Sequence, residues 1–423
     1  MRTIQGYART AAGRTEVGHI PRIAWRPSLA LLASAVVSAI VAACGGDSDD
    51  SRAAAERAAQ VAEGKQIFRF DTFGDEIQWT DTLRMHEVIG GVDPVTALSV
   101  GLKVDAEALP PAVVEGIQGG TIDLTSPATT VALLKLNAVV GVQASVETVG
   151  GTDRIMRLGI TCALCHSTVD DAFAAGIGKR LDGWPNRDLD PGAIIALSPA
   201  IDEAAKAQYR SWGKGKFDPR HNVDGLNKPL VIPPAYGLDG IHRITFTGDG
   251  EEIAYWNRYV SVVEMGGQGT MIEPRLNLSI TNGTSDLVSD KLPALQAYQL
   301  SLQAPSPPPG SFDAAAAVRG KLIFDGAGTC ATCHSGEKFT DANTRLHPIE
   351  DSVAEPEFPS YASRSATKQY RTSPLRGVWQ HAPYFHDGSA ATLEAVVQTY
   401  NTRRALALTP QEMADLVQYL KSL

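Results

Sequence analysis

The sequence predicts a mainly α-helical protein of two related domains, the first of them enlarged by an insertion. One observation is a repeated helix start, because Gly64–Phe68 (Gly-Lys-Gln-Ile-Phe) returns as Gly320–Phe324 (Gly-Lys-Leu-Ile-Phe). A second is a repeated end, because Leu295, Tyr298 and Leu302 return 121 residues later as Leu416, Tyr419 and Leu423. Their spacing of three and four residues is typical of one helix face.

The two copies set the predicted domain boundaries. A proline-rich linker at 305–312 separates a first domain at 63–304 from a second domain at 313–423. Such a run is extended and semi-rigid. Thr409 followed by Pro410 is typical of a helix start, with Thr as N-cap and Pro at the first helical position, and marks the closing helix.

The insertion lies in the first domain. Cys330 follows Gly320 by 10 residues, whereas Cys162 follows Gly64 by 98, so the first copy carries about 88 extra residues. Within it, the apolar stretch 132–142 is compatible with either a buried helix or a pair of strands.

The composition excludes some classes of partner. The chain has 423 residues and a formal net charge of −9. An acidic protein repels the phosphate backbone, so we expect no nucleic-acid partner. The charge fits a basic redox partner only weakly, since most soluble proteins carry some excess charge.

The N-terminus has the features of an export signal. Arginines precede an apolar run of 15 residues at 29–43, which is short for a membrane span and typical of a signal-peptide core. Residues 1–43 are therefore predicted to be a lipoprotein signal peptide. The small residues before Cys44 resemble the bacterial lipobox, so Cys44 is the predicted lipidation site. A plain signal peptide cut elsewhere is the alternative.

The segment 44–62 is rich in Asp, Ser and Ala and is expected to be a flexible tether. Lipidation at Cys44 would hold the protein on the periplasmic face of a bacterial membrane. Gly45 after the cysteine favours the outer membrane.

Two Cys-x-x-Cys-His motifs carry the chemistry, Cys162–His166 and Cys330–His334. This is the haem c attachment pattern, in which two thiols bond the porphyrin and the adjacent His binds the iron. A four-thiolate zinc site needs neither His, and a thioredoxin motif would lie near a βαβ pattern. We therefore expect two covalently bound haem c groups. The attachment residues are Cys162, Cys165, Cys330 and Cys333, and the proximal iron ligands are His166 and His334.

Each domain is thus expected to have a small cytochrome c-like fold, and the C-terminal segment narrows the family. Its pattern is Pro-Leu-Arg-Gly-Val at 374–378, Ala-Pro-Tyr-Phe-His-Asp-Gly at 382–388 and Thr-Leu-Glu at 392–394. It resembles the second haem domain of the bacterial dihaem cytochrome c peroxidase and MauG superfamily. In the size of its first domain, the chain resembles the rubber oxygenases of that group. The resemblance covers 64–160 poorly, and it implies two cytochrome c domains packed face to face.

The resemblance also implies where the second haem's distal ligand comes from. One source is the loop histidine, here His386, and the other lies fourteen residues later, here Tyr400. His381 is a third candidate. Alternatively, His386 does not bind iron and is a loop histidine that forms a hydrogen bond with a haem propionate or with the backbone.

For the first haem, 245–250 overlays 383–388 as a degenerate copy in which Gly248 replaces the His. Met265, fifteen residues past Gly250, is therefore the predicted distal ligand, although a bare Met is more often a core residue. A vacant sixth position is the alternative and would favour catalysis. Other candidate ligands are Met271, His86 and His242.

Two residues that follow the first motif in the sequence are candidate haem contacts. Arg187 could bind a propionate through its guanidinium, and Trp184 could flank the haem. A turn with a surface Arg and a packed Trp is an equal alternative.

These observations favour a dihaem c-type cytochrome that binds haem and transfers electrons with a periplasmic or membrane redox partner. The alternative is a dihaem peroxidase or oxygenase, in which one haem activates peroxide or dioxygen and the other relays electrons. A zinc-stabilised partner-binding lipoprotein is a third hypothesis, and the paired histidines disfavour it.

Overall fold

The structure is a computed structural model that describes residues 48–423. The predicted signal peptide and Cys44 lie outside the described residues. Helix accounts for 41% of the described residues and strand for 13%, which confirms the mainly helical class. Residues Asp50–Leu423 form one compact unit, and the predicted division at 305–312 stays a prediction. Within the described part of the chain, every helix is too short or too polar to span a membrane.

Helices and strands alternate irregularly along the chain. The α-helices are α1 Ser48–Phe70, α2 His86–Ile89, α3 Pro94–Ser99, α4 Pro111–Gln118, α5 Pro127–Lys135, α6 Ala163–His166, α7 Pro191–Ile195, α8 Glu203–Arg210, α9 His221–Asp224, α10 Ile253–Tyr259, α11 Leu292–Ser301, α12 Ala314–Asp325, α13 Leu393–Arg403 and α14 Pro410–Lys421. The strands are β1 Val104–Asp105, β2 Val142–Val149, β3 Thr152–Ile160, β4 Ser167–Val169, β5 Ile177–Gly178, β6 Arg180–Asp182, β7 Lys216–Phe217, β8 Leu230–Val231, β9 Gly269–Glu273 and β10 Leu278–Asn282.

The strands form two-stranded ladders. The pairs β2–β3, β4–β6, β7–β8 and β9–β10 are antiparallel, and β1–β5 is parallel. Wide π-type turns occupy Ile77–Thr82 and Val260–Glu264.

The segment predicted to be a flexible tether is instead helical from Ser48 onward, as the first half of α1. Its residues 50–60 are exposed, so tertiary packing does not hold them in place. Alanine, arginine, glutamate and glutamine have high helix propensity, and Arg52 pairs with Glu56 one turn on, 2.9 Å away. Composition alone suggests a solvated linker, but the same residues are good helix formers.

The repeat seen in the sequence appears as two equivalent helix crossings, α1 on α11 and α12 on α14. A Cβ at Gly64 would lie 1.9 Å from the carbonyl oxygen of Ala294, and one at Gly320 would lie 2.0 Å from that of Asp415. Only glycine allows the helices to approach this closely. The two contacted residues are 121 positions apart, which is the spacing of the repeat.

An equivalent aromatic pair packs at each of the two helix crossings. Phe68 meets Tyr298 edge-on with ring centroids 5.5 Å apart, and Phe324 meets Tyr419 at 5.2 Å. Thr409 forms a capping box at the start of α14, which confirms the predicted N-cap. Each motif therefore follows a helix whose glycine and aromatic residues dock on a closing helix.

The insertion builds its own core beside the first motif. The stretch 132–142 contains the end of α5, a turn and the start of β2, so both a helix and a strand are present. Buried Trp79, Met85, Leu134 and Leu158 cluster with Leu164, which lies inside the first Cys-x-x-Cys-His motif. The insertion is therefore packed directly against the attachment segment.

Candidate haem sites

Both attachment motifs adopt a single helical turn. The backbone N–H of His166 donates to the carbonyl of Cys162 at 3.1 Å, and that of His334 donates to the carbonyl of Cys330 at 2.9 Å. Residues three and four apart then lie on one side of the turn. Both thiols and the imidazole of each motif can therefore reach one planar group.

The two predicted proximal histidines, His166 and His334, are held in a form that leaves Nε2 free for iron. The Nδ1–H of His166 donates to the carbonyl of Pro233 at 3.0 Å, and that of His334 donates to the carbonyl of Phe339 at 3.1 Å. Because a carbonyl only accepts, each ring keeps its free lone pair on Nε2. Burial lowers the pKa of His166 to about 4 and also lowers the pKa of His334, so both imidazoles are neutral.

A cavity of about 510 Å³ lies against the second motif. This volume falls within the range of cofactor pockets, about 300–1,000 Å³. The chemistry of the wall fits haem, since it combines thiols and an imidazole with apolar side chains of α13 and α14. The wall includes Cys330, Cys333, His334, Tyr400, Leu416 and Leu420.

The cavity extends to a partly buried cation from the first half of the chain, Arg187. Its Nε and Nη1 are buried and find no hydrogen-bond partner among the described residues. Burial lowers the pKa of Arg187 to about 10, and its charge lowers the pKa of both His166 and His381. A carboxylate of a bound haem would satisfy this guanidinium, as the propionate hypothesis expects.

The two candidate ligands of the second haem differ in their surroundings. Tyr400 lines the cavity in α13, and burial first, then the two nearby thiols of the second motif, raise its pKa to about 12. His386 also borders the cavity, but its Nε2 is 3.1 Å from Glu355 Oε2 and 3.3 Å from the hydroxyl of Tyr370. His381 Nε2 is 2.8 Å from the hydroxyl of Tyr236. Tyr400 is thus the candidate whose ligating atom has the better access to iron, and the ligand itself stays a prediction.

The loop before α13 has a structural counterpart in the first half. An isolated bridge joins Ile244 to Gly250, and another joins Tyr384 to Ala390, so the two loops correspond with an offset of 140 residues. The predicted overlay used an offset of 138.

Backbone conformation gives the same offset. Thr245 and Phe385 both have positive φ, 69° and 65°. The residue that corresponds to His386 is therefore Phe246 and not Gly248. The two-residue error arose because the Gly-Asp-Gly and His-Asp-Gly strings match by identity, while the bridges fix the register.

The same offset changes the expectation for the first haem. Helix α10 begins at Ile253 and α13 at Leu393, so Val260 occupies the position of Tyr400. Met265 lies five residues beyond that position. Valine has no atom that can bind iron, so this position supplies no sixth ligand in the first half.

The alternative ligands of the first haem are dispersed. Met265 and Met271 are buried in an apolar core with Phe68 and Tyr259. His86 lies in α2 of the insertion, and its Nδ1 is buried without a partner among the described residues. The remaining candidate, His242, is exposed.

A residue that the sequence did not single out is Glu264, next to Met265. Both of its carboxylate oxygens are buried and lack a hydrogen-bond partner among the described residues. Burial raises its pKa well above the usual range, with Asp218 adding to the effect. Its charge in turn adds to the burial that raises the pKa of the Cys165 thiol to about 12, so Glu264 lies close to the first motif.

The one sequence signal for Glu264 is an acidic residue in a largely apolar run from 259 to 265. The opposite charge nearby is Arg220, which is 1% exposed and pairs with Asp249. Its Nε and Nη1 also lack partners within the described part of the chain. The surroundings of Glu264 therefore combine buried acid oxygens with a buried cation, and both groups have hydrogen-bonding atoms available.

Parts of this chain are similar in sequence to known proteins. A family model described as RoxA-like, cytochrome c-like matches residues 369–406. The methylamine utilization protein MauG of Methylorubrum extorquens is 31% identical over 122 residues, 25% of this chain and 34% of that protein. The cytochrome-c peroxidase IdrP1 of Denitromonas iodatirespirans is 28% identical over 151 residues, 26% of this chain and 40% of that protein. The matches thus span about a third to two fifths of these relatives' length.

Solved structures give weaker similarity. A MauG-like protein associated with microbial copper homeostasis is 20% identical, with 48% of this chain and 75% of that chain covered and a TM-score of 0.32. Hydrazine synthase of Kuenenia stuttgartiensis is 22% identical, with 48% and 74% covered and the same TM-score of 0.32. Scores of this size do not establish a common overall fold.

Proposed function

The chain belongs to the cytochrome c peroxidase/MauG superfamily, and from this premise we propose that it is a dihaem oxidoreductase of the peroxidase type. When bound, a haem at Cys162, Cys165 and His166 would reduce peroxide, and one at Cys330, Cys333 and His334 would supply electrons.

The enzymatic alternative is better supported than electron transfer alone. The two curated relatives are a methylamine utilization protein and a cytochrome-c peroxidase. In this chain, Val260 stands where the second half has Tyr400, so the first half lacks a ligand at that position. An open position beside polar groups suits oxidant binding, whereas two fully ligated sites suit electron transfer.

Glu264 is the observation that carries this proposal. Burial of a carboxylate without a hydrogen-bond partner is costly, so such a group is a candidate for a functional role. Its raised pKa favours the protonated acid over the carboxylate. We assign it the role of moving a proton between the oxygens of the bound peroxide.

The second half would serve as the electron entry. Tyr400 is assigned as its distal ligand and Arg187 as the partner of a propionate between the two sites. Both proposals follow from the cavity wall, in which Tyr400 and Arg187 face the same space as Cys330 and His334.

The setting of the protein is proposed from the sequence features alone. Lipidation at Cys44 would place it on the periplasmic face of a bacterial membrane, with the outer membrane favoured by Gly45. Electrons would come from a periplasmic or membrane redox partner. We propose no nucleic-acid partner, since the net charge is −9.

The test is paramagnetic resonance and stopped-flow spectroscopy of protein purified with both haems attached. We expect one high-spin ferric haem that reacts with hydrogen peroxide. Glu264→Gln keeps the shape but removes the titratable group, and it should slow this reaction by about 100-fold. Glu252→Gln, an exposed change on the same segment, is the control. Two low-spin haems that do not react with peroxide would instead support a function in electron transfer alone.

A further inference from the structure

Tyr236 joins the two halves of the chain through a buried hydrogen bond. It is 4% exposed, and its hydroxyl lies 2.8 Å from Nε2 of His381 in the second half. The ring also lines the cavity of the second motif. The sequence motifs do not single out Tyr236, and they indicate His381 only as a candidate haem ligand.

The hydrogen bonds around the phenol define where its proton points. Gln380 donates from Nε2 to the phenolic oxygen. The carbonyl of Gly377 is 3.4 Å away, so the shorter bond to His381 takes the hydroxyl proton. Gly377 has φ of +76°, and a Cβ there would lie 2.7 Å from the hydroxyl of Tyr236. A glycine is therefore required for this approach.

Tyr236 is also connected to the first site. His166 donates to the carbonyl of Pro233, three residues before Tyr236. The indole of Trp184 lies beside the Tyr236 ring with centroids 6.4 Å apart. One residue thus contacts the cavity of the second motif and is three backbone positions from the proximal hydrogen bond of the first.

His381 is suited to receive a proton. Its Nε2 lies 2.8 Å from the hydroxyl of Tyr236, which places the ring at the distance needed to take the phenolic proton. Oxidation of a phenol makes its proton strongly acidic, and a neutral imidazole at hydrogen-bond distance is then a sufficient base.

We propose that Tyr236 and His381 form a proton-coupled redox pair that relays single electrons from the second haem site to the first. This rests on the proposed function, in which peroxide at the first site is the oxidant. The phenol of Tyr236 gives up one electron toward the first site, and its O–H bond breaks as the proton passes to Nε2 of His381. An electron from the second site then restores the phenol, and the proton returns from His381.

The test is freeze-quench paramagnetic resonance of the full chain with both haems attached, with two sources of oxidant. One is hydrogen peroxide, and the other is a ruthenium(III) polypyridyl complex generated by a light flash. Both should yield a tyrosyl radical that Tyr236→Phe abolishes. His381→Gln keeps a polar side chain that cannot take the proton and should lower the radical yield at least about tenfold.

Tyr255→Phe is the matched control, because that phenol is half-buried and bonded to Glu273 outside the cavity. It should leave the radical unchanged. If peroxide leaves haem absorbance unaltered while the flash still forms the Tyr236 radical, the proposed function fails and the relay stands. The relay is overturned if neither oxidant forms a tyrosyl radical, if the radical persists in Tyr236→Phe, or if His381→Gln has no effect.

Discussion

One side chain distinguishes the two halves of the molecule at the position of the distal ligand. Tyr400 lies in the wall of the cavity, while Val260 holds the corresponding position in the first half. A phenol can bind iron and an isopropyl group cannot. In the proposed function, this pair of residues accounts for the difference between a ligated second site and an open first site.

The assignment of Tyr400 has a direct spectroscopic test. Tyr400→Phe removes only the hydroxyl, so the second haem should change its spin state and its ligand bands in the ferric spectrum. His386→Gln should leave that spectrum nearly unchanged, because its Nε2 faces Glu355 at 3.1 Å. The reverse result would make His386 the ligand and contradict the placement of Tyr400.

A second prediction at this scale concerns Asp75, whose carboxylate is fully buried. Burial raises its pKa from 3.8 to about 9. Between these two values the folded protein holds a proton that the unfolded chain releases, so the free energy of unfolding falls as pH rises. The fall is at most about 1.4 kcal/mol for each pH unit within this range.

Asp75→Asn removes this titration and keeps an oxygen for the backbone N–H of Ile160, which lies 3.2 Å from the carboxylate. The variant should gain stability relative to the wild type as pH rises from about 4 to about 9. Denaturant titrations across this range measure the effect, with exposed Asp81→Asn as control. A stability difference that does not change with pH would show that Asp75 titrates normally.

At the scale of elements, the two close helix crossings organise both attachment motifs. Helix α12 precedes the second motif directly, and its Gly320 lets it cross α14 at backbone contact. Helices α1 and α11 repeat the arrangement through Gly64. The crossing also brings Phe324 to 6.4 Å from the ring of His334, so packing there reaches the proximal ligand.

Gly320→Ala should therefore be strongly destabilising. The added Cβ would lie 2.0 Å from the carbonyl oxygen of Asp415, so α12 must shift, and such overpacking costs about 1–3 kcal/mol or more. Gly90→Ala is the matched control, because no atom lies within 4 Å of its added Cβ. Denaturation midpoints compare the two, and equal stability would contradict the close crossing.

At the scale of the whole molecule, ion pairs join the two halves. Arg364, from the second half, binds Asp218 at 3.0 Å and Asp224 at 2.7 Å in the first. Its side chain is 5% exposed and that of Asp218 is fully buried. These contacts hold the segment before Tyr370 against the first half, and so help to set the wall of the cavity.

Arg364→Ala should cost about 3 kcal/mol, because it leaves the Asp218 carboxylate buried without its cation. Lys421→Ala breaks an exposed pair with Glu394 and should cost less than about 1 kcal/mol. Chemical denaturation of both variants measures the difference. Equal losses of stability in the two variants would mean that solvent screens the pair of Arg364 and Asp218 as it screens a surface ion pair.

Local sequence patterns were sufficient to predict the attachment motifs and the local structure around them. Each predicted feature is a pattern of only a few residues. These features are the two Cys-x-x-Cys-His motifs, the repeated glycine and tyrosine positions, and the cap at Thr409. Short-range spacing decides which groups share a helical turn, so these features could be predicted without the fold.

Contacts between residues far apart in the chain follow from the tertiary packing. Glu264 is buried where its charge acts on Cys165, and Tyr236 meets His381 across 145 positions. The true register of the two loops came from backbone bridges and not from residue identity. Such contacts depend on how separate elements pack, and no local pattern in one segment records the partner that packing will bring to it.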